Sequence, residues 1–338
     1  MSTLYALAAA LLFSVSVPAG KLLLAHLRPL QLSALCYAGS ALGLLLWRAF
    51  AWRGAEGRLE RRDMPYVAGF TLAGGVLAPL LLFNGLSRAS SASASMMLNF
   101  ELVFTSLIAV LAFGERGGWR LWTAAALVTG GGLALSGGAA GAGEGALLVL
   151  GAALMWGLDN NLTARVSLKD PVPLAALKGL AGGLINGVLA LYAGGPFPQA
   201  RWAAAALALG ALSYGASLAF LILAMRELGA SRAGAFFGVY PFLGAALGAL
   251  LLGEPASWRL ALAGGLMLAA FLLLASERHA HFHCHEALEH DHLHAHGDGH
   301  HGHPHSPIPP GAHSHQHRHE LLEHLHPHSS DAHHLHGH

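Results

Sequence analysis

Ten long apolar runs joined by short connections constrain this chain more than any other feature. They lie at about residues 3–21, 29–49, 65–86, 91–113, 119–136, 145–164, 173–193, 202–225, 232–252 and 259–276. A bilayer core about 30 Å thick takes roughly 20 apolar residues per helix. Strands that cross lipid must close into a barrel and alternate polar with apolar residues, and these runs do not alternate. The expectation is an all-α integral membrane protein with ten transmembrane helices. The opening Met1-Ser2-Thr3-Leu4 carries no positive charge, so the first run is read as a retained helix rather than a cleaved leader.

Charge separates this apolar body from a different C-terminal part. Residues 1–278 hold 18 Lys and Arg against 11 Asp and Glu, whereas residues 279–338 hold one Arg, seven acids and 23 of the 24 histidines. The overall +1 therefore averages two unlike regions and excludes a simple basic nucleic-acid binder. Two cysteines, Cys36 and Cys284, cannot build a disulfide scaffold. With the N-terminus inside, the inner loops hold twelve Lys and Arg and the outer loops five. That bias predicts a plasma (inner) membrane protein with both termini cytoplasmic.

The body repeats itself. Gly114-Glu115 followed by Trp119-Arg120 recurs as Gly253-Glu254 followed by Trp258-Arg259, with one common offset. A weaker echo links Leu7–Phe13 to Leu150–Trp156. Each unit holds five runs, and an odd number inverts the second unit relative to the first. The expected organisation is two inverted five-helix repeats, residues 1–138 and 139–278, followed by a low-complexity tail, residues 279–338. Inverted repeats suit alternating access, with a site near the bilayer midplane.

Ten helices in two five-helix halves, each with an apolar helix running into Gly-Glu before its last helix, resemble the EamA-type drug/metabolite transporters. The resemblance covers about residues 3–276 and implies a secondary transporter, usually an exporter, with its site between the halves. It also draws attention to Tyr240-Pro241 in the fourth helix of the second half. The matching first-half positions are Glu101-Leu102, which place a carboxyl where a neutral residue is usual. Gly20-Lys21-Leu22 lacks the glycine and hydroxyl of a nucleotide-binding loop, so a gradient rather than ATP is expected to drive the protein.

Ionisable groups within membrane runs default to functional candidates. Glu101 lies ten residues into its run, about 15 Å deep, with Met97 and Thr105 one turn to either side. Asp159, Asn160 and Asn161 form a second polar cluster. Lys178 enters the next run from the same end, and an Asp159–Lys178 ion pair is expected. The candidate transport residues are Glu101, Asp159, Asn160, Asn161, Tyr240 and Met97. Asn84, Asn99 and Asn186 are expected to bond between helices, and Pro18, beside Ser14 and Ser16, marks a bend.

The tail is expected to be disordered. Its histidines alternate: His279, His281, His283 and His285 around Cys284; then His290, His292, His294 and His296; then His300, His301, His303 and His305; then His313, His315, His317 and His319. Imidazole suits Ni, Co, Zn or Cu, so the tail is expected to bind divalent metal. HEALEH and HELLEH miss the zinc-protease spacing by one residue, and no enzyme activity or required cofactor is expected. The partners expected are the lipid bilayer and a small solute or metal ion, without nucleic acid; a homodimer is one assembly the sequence allows. The favoured function is export of divalent transition-metal cations (Ni, Co or Zn), coupled to protons or potential. The alternative is export of amino acids or other small metabolites, with the tail a metal-responsive or metal-storing appendage.

Overall fold

The computed structural model describes residues 2–50, 59–113, 118–136, 143–166, 170–228, 236–255, 257–275, 279–285, 289–294, 313–318 and 322–328. Among these, seven helices are long and apolar enough to cross a membrane. They are α1 (Thr3–Leu23), α2 (Pro29–Phe50), α3 (Arg61–Arg88), α4 (Ser91–Phe113), α6 (Glu144–Thr163), α7 (Val172–Tyr192) and α8 (Ala200–Ala224). Helices α5 (Trp119–Ser136), α9 (Tyr240–Leu252) and α10 (Trp258–Ala275) occupy the three remaining apolar runs. Helix α9 begins later than its run: residues 229–235 lie outside the described residues, and a turn at Gly238–Val239 separates helical Phe236–Phe237 from Tyr240. The expected repeat boundary also falls in an undescribed stretch, residues 137–142.

Leucines cover the outside of this bundle. Leu111, Leu147, Leu184, Leu250 and Leu272 are all exposed, which in water would be an apolar patch in need of a cover. In a bilayer it is the lipid-facing surface. The interior is built from small residues and aromatics, with Tyr37, Phe83, Leu98, Trp156, Tyr214 and Tyr240 in one buried cluster.

The backbone repeats as the sequence does. One π-helical turn, Thr71–Leu77, interrupts α3, and another, Gly210–Ala216, interrupts α8. Both span 7 residues and start at repeat-equivalent positions. The turn of α3 packs on α7 and that of α8 packs on α2, while α2 and α7 pack on each other. Glycine permits both approaches. A Cβ on Gly182 would strike the carbonyl oxygen of Gly75, and one on Gly210 would strike that of Cys36.

Two spans are broken, and the turn at Gly238–Val239 breaks the run that leads into α9 in the same way. Helix α1 divides at Val15 into Ser2–Ser14 and Ser16–Leu23; Pro18 has no N–H to give the carbonyl of Ser14. Helix α4 divides into Ser91–Met97 and Phe100–Phe113. At that break the Asn99 N–H turns back to the carbonyl of Met96 at 3.1 Å, and the Asn99 side chain donates to the same oxygen at 2.9 Å. Asn84 likewise bonds within its own helix, to Leu80. Two of the three bridge helices: Asn186 donates to Ser33 Oγ at 2.8 Å and to the carbonyl of Gly75 at 3.3 Å, and Asn99 also donates to Met267 Sδ of α10 at 3.8 Å.

The described tail backbone pairs in two antiparallel ladders, His279–His285 with Leu322–His328 and Glu289–His294 with His313–Arg318. An isolated two-stranded ladder is marginal in water, so these pairings do not amount to a packed domain. His296, His300, His301, His303, His305 and His319 lie outside the described residues.

Candidate functional site

The site forms where the lower half of α4, the end of α6 and the start of α9 meet. Glu101 lies in the first turn of the helix after the break in α4, and its carboxylate accepts two hydrogen bonds. Tyr240 Oη donates to Oε2 at 3.0 Å, and Asn160 Nδ2 donates to Oε1 at 3.0 Å. The Asn160 amide also donates to Thr105 Oγ1 at 3.2 Å. Asn161 ties the same helices together, donating to the carbonyls of Thr105 at 2.9 Å and Gly157 at 2.8 Å. A Cβ on Gly157 would press on Phe104 at 2.9 Å, so glycine there sets how closely α6 approaches α4.

The three successive polar residues of α6 therefore part company. Asn160 and Asn161 face α4, while Asp159 turns to α7 and is salt-bridged to Lys178 Nζ. Thr163 donates to its other oxygen, Oδ1, at 3.2 Å. Asp159 is only 3% exposed. Gly74, in the π-turn of α3, makes room for it, since a Cβ there would collide with Oδ2. Lys178 Nζ also lies 5.9 Å from the Phe70 ring. The partners of Glu101 are neutral donors, whereas the partner of Asp159 is a cation.

Met97 sits on the apolar side of this cluster, in one buried group with Trp156 and Tyr240. The break at Leu98–Asn99 takes it out of phase with Glu101, and it packs, 4% exposed, into the apolar core beside Leu98 and Trp156. Thr105 keeps the expected phase because no break separates it from Glu101.

Aromatic rings wall the site. Phe13 stands edge-on to Tyr240 at 4.7 Å between centroids and contacts Tyr214 at 5.4 Å, Phe237 at 5.5 Å and Trp156 at 6.3 Å. The Leu7–Phe13 and Leu150–Trp156 echo marks two of these rings, but sequence reasoning gave them no part in the site. The hydroxyls of Ser16 and Tyr214 are buried near one another, with no partner in hydrogen-bonding geometry among the described residues. Glu254 is a second omission. The Gly-Glu repeat drew attention to it without supplying a partner, and its carboxylate caps the start of α4.

An apolar surface of membrane-spanning length around a cluster of two carboxyls, an ammonium, amides and a phenol, with Asp159, Asn161 and Tyr240 buried, Glu101 and Lys178 half-buried and Asn160 exposed, defines an integral membrane protein with a polar site between its helices. The chain belongs to the EamA-like transporter family, which matches residues 1–137 and 143–276. It is thus a transporter of the drug/metabolite type. A protein of Methanothermobacter thermautotrophicus described as an uncharacterized transporter is 28% identical over 291 residues, covering 79% of this chain and 83% of that protein. A solved structure titled "Crystal structure of protein" shares the fold, with a TM-score of 0.58 at 20% identity over 81% of this chain and 98% of its own.

Proposed function

We propose that this transporter exchanges one proton for one singly charged cation at Glu101, and that its cargo is a small amine-bearing metabolite of net charge +1, cationic amino acids included. The charge count at the site carries this proposal. Asp159 and Lys178 neutralise each other, which leaves Glu101 to decide the net charge. Ionised and empty, the cluster is −1; a proton or an ammonium brings it to zero. A divalent ion on the same residues would leave +1 inside the bundle, and net charge away from water is costly. The rings around Tyr240 suit an organic ammonium, which gains from aromatic faces.

This ordering reverses the sequence-based preference for divalent metal as cargo. Metal export remains the second reading because of the histidine tail. In the first reading the tail binds metal as a sensor or store, and the direction of transport is outward.

Proteoliposomes holding a trapped pH dye test the two readings. Added amines or cationic amino acids should move protons in the wild type and not in Glu101→Gln. Proton movement driven by Ni, Co or Zn and by no amine would overturn the proposal in favour of metal export.

A further inference from the structure

Helix α9 ends at Gly253, whose φ of 63° turns the chain sharply, and the next side chain reaches across to the start of α4. Glu254 Oε1 accepts the N–H of Ser91 at 2.6 Å, and Oε2 accepts the N–H of Ala92 at 2.7 Å. The helix's own cap, Ser90 Oγ, accepts from the N–H of Ser93 at 3.2 Å. Of these three open helix donors, two are thus held by a residue 162 or 163 positions away. Charge-assisted bonds to a helix start are among the stronger polar contacts available.

Beneath this clamp, α4 and α9 touch through small residues. A Cβ on Gly248 would meet Ser91 Oγ at 2.9 Å, and one on Gly244 would meet Ser95 Oγ at 2.9 Å. Both serine hydroxyls are buried without a hydrogen-bond partner among the described residues. A glycine–serine seam lets helices approach closely, and the large side chains of the Ser91–Met97 segment, Met96 and Met97, are buried in the neighbouring apolar clusters and must slide when it moves. The seam also lies on the two helices that carry Glu101 and Tyr240. Between the seam and Glu101 sits the break at Leu98–Asn99, which separates Ser91–Met97 from Phe100–Phe113.

We propose that Ser91–Met97 is a gate over one end of the site, hinged at Leu98–Asn99 and latched shut by Glu254. With the latch closed, the seam seals the site from the end of the bundle that holds Ser91 and Glu254. Release of the two backbone donors lets the segment swing away while Phe100–Phe113 keeps Glu101 in place. The device does not depend on which cargo the site takes.

The test uses the full chain in lipid nanodiscs, where both faces are accessible and no cargo is needed. Cys36 and Cys284 are replaced by Ala and Ser, and Ser95→Cys reports on the seam through its rate of reaction with a polar maleimide. Glu254→Ala should raise that rate about a hundredfold, as expected for the loss of two charge-assisted hydrogen bonds, and Glu254→Gln by less. Ser90→Ala, which removes only the local cap, should leave the rate near its starting value. Should Glu254→Ala fail to fold, the Glu254→Gln and Ser90→Ala comparison decides in the same way. Equal acceleration by Ser90→Ala would reduce the latch to simple fraying of a helix end. Fast labelling with Glu254 intact, or no change on its removal, would also overturn the proposal.

Discussion

Tyr240 donates a hydrogen bond to Glu101 at 3.0 Å, and the two residues stand 139 positions apart, the offset of the internal repeat. Equivalent residues of a repeat meet each other only on the axis that relates the two copies. The proposed cargo site therefore lies on that axis, where neither half can move without altering it. One copy brings an acceptor and the other a donor, so the contact is asymmetric although the backbones around it repeat.

Glu101→Gln should abolish proton-linked exchange and leave the fold intact, because the amide oxygen can accept from Asn160 while its NH2 donates to the Tyr240 hydroxyl, but the amide cannot bind a proton exchangeably. In the wild type, cargo affinity should weaken as pH falls, since protons compete for the carboxylate, approaching about tenfold per pH unit where the carboxyl is mostly protonated. Binding measured across pH should lose this slope in Glu101→Gln. A slope retained in that variant would move the coupling group elsewhere.

Tyr240→Phe removes one donor to Glu101 and keeps the ring against Phe13. A hydrogen bond to a charged group contributes roughly 1.5–3 kcal/mol. Exchange should persist with its pH profile displaced, and thermal stability should change little. A stability loss as large as that of a core truncation would make the phenol structural instead.

Asp159→Asn and Lys178→Met should each destabilise the protein by roughly 3–5 kcal/mol, because each leaves the other charge buried alone. The double variant should recover most of the loss. Melting of the four proteins in detergent gives the coupling energy directly, and additive losses would mean that the pair does not act as a unit.

Gly74→Ala should destabilise by about 1–3 kcal/mol through overpacking, as its Cβ would collide with the Asp159 carboxylate. Gly265→Ala is the control, since a Cβ there meets nothing within 4 Å. That change should be neutral or mildly stabilising, because alanine is the better helix former.

Removal of residues 279–338 should abolish high-capacity binding of Ni or Zn in titration calorimetry while leaving the melting temperature of the helical body in place. A fall in the body's stability would show that the tail packs on it.

The sequence alone was enough to mark the spans, the repeat and the polar residues within them. Span length and hydropathy are local properties, and lipid demands them of each run separately. The offset of the repeat already set Glu101 against Tyr240 as equivalents, and the chain reversal between α6 and α7 already brought Asp159 near Lys178. Which residues meet was decided by the rotation of each helix about its axis. Each residue turns a helix by about 100°, so a break or a π-turn displaces every face beyond it. The break at Leu98–Asn99 sent Met97 into the core and left Thr105 beside Glu101, and the π-turns of α3 and α8 opened the backbone to α7 and α2. Tertiary packing likewise gathered Phe13 and Trp156 into one aromatic wall and gave Glu254 the start of α4, contacts between distant segments that no local pattern encodes.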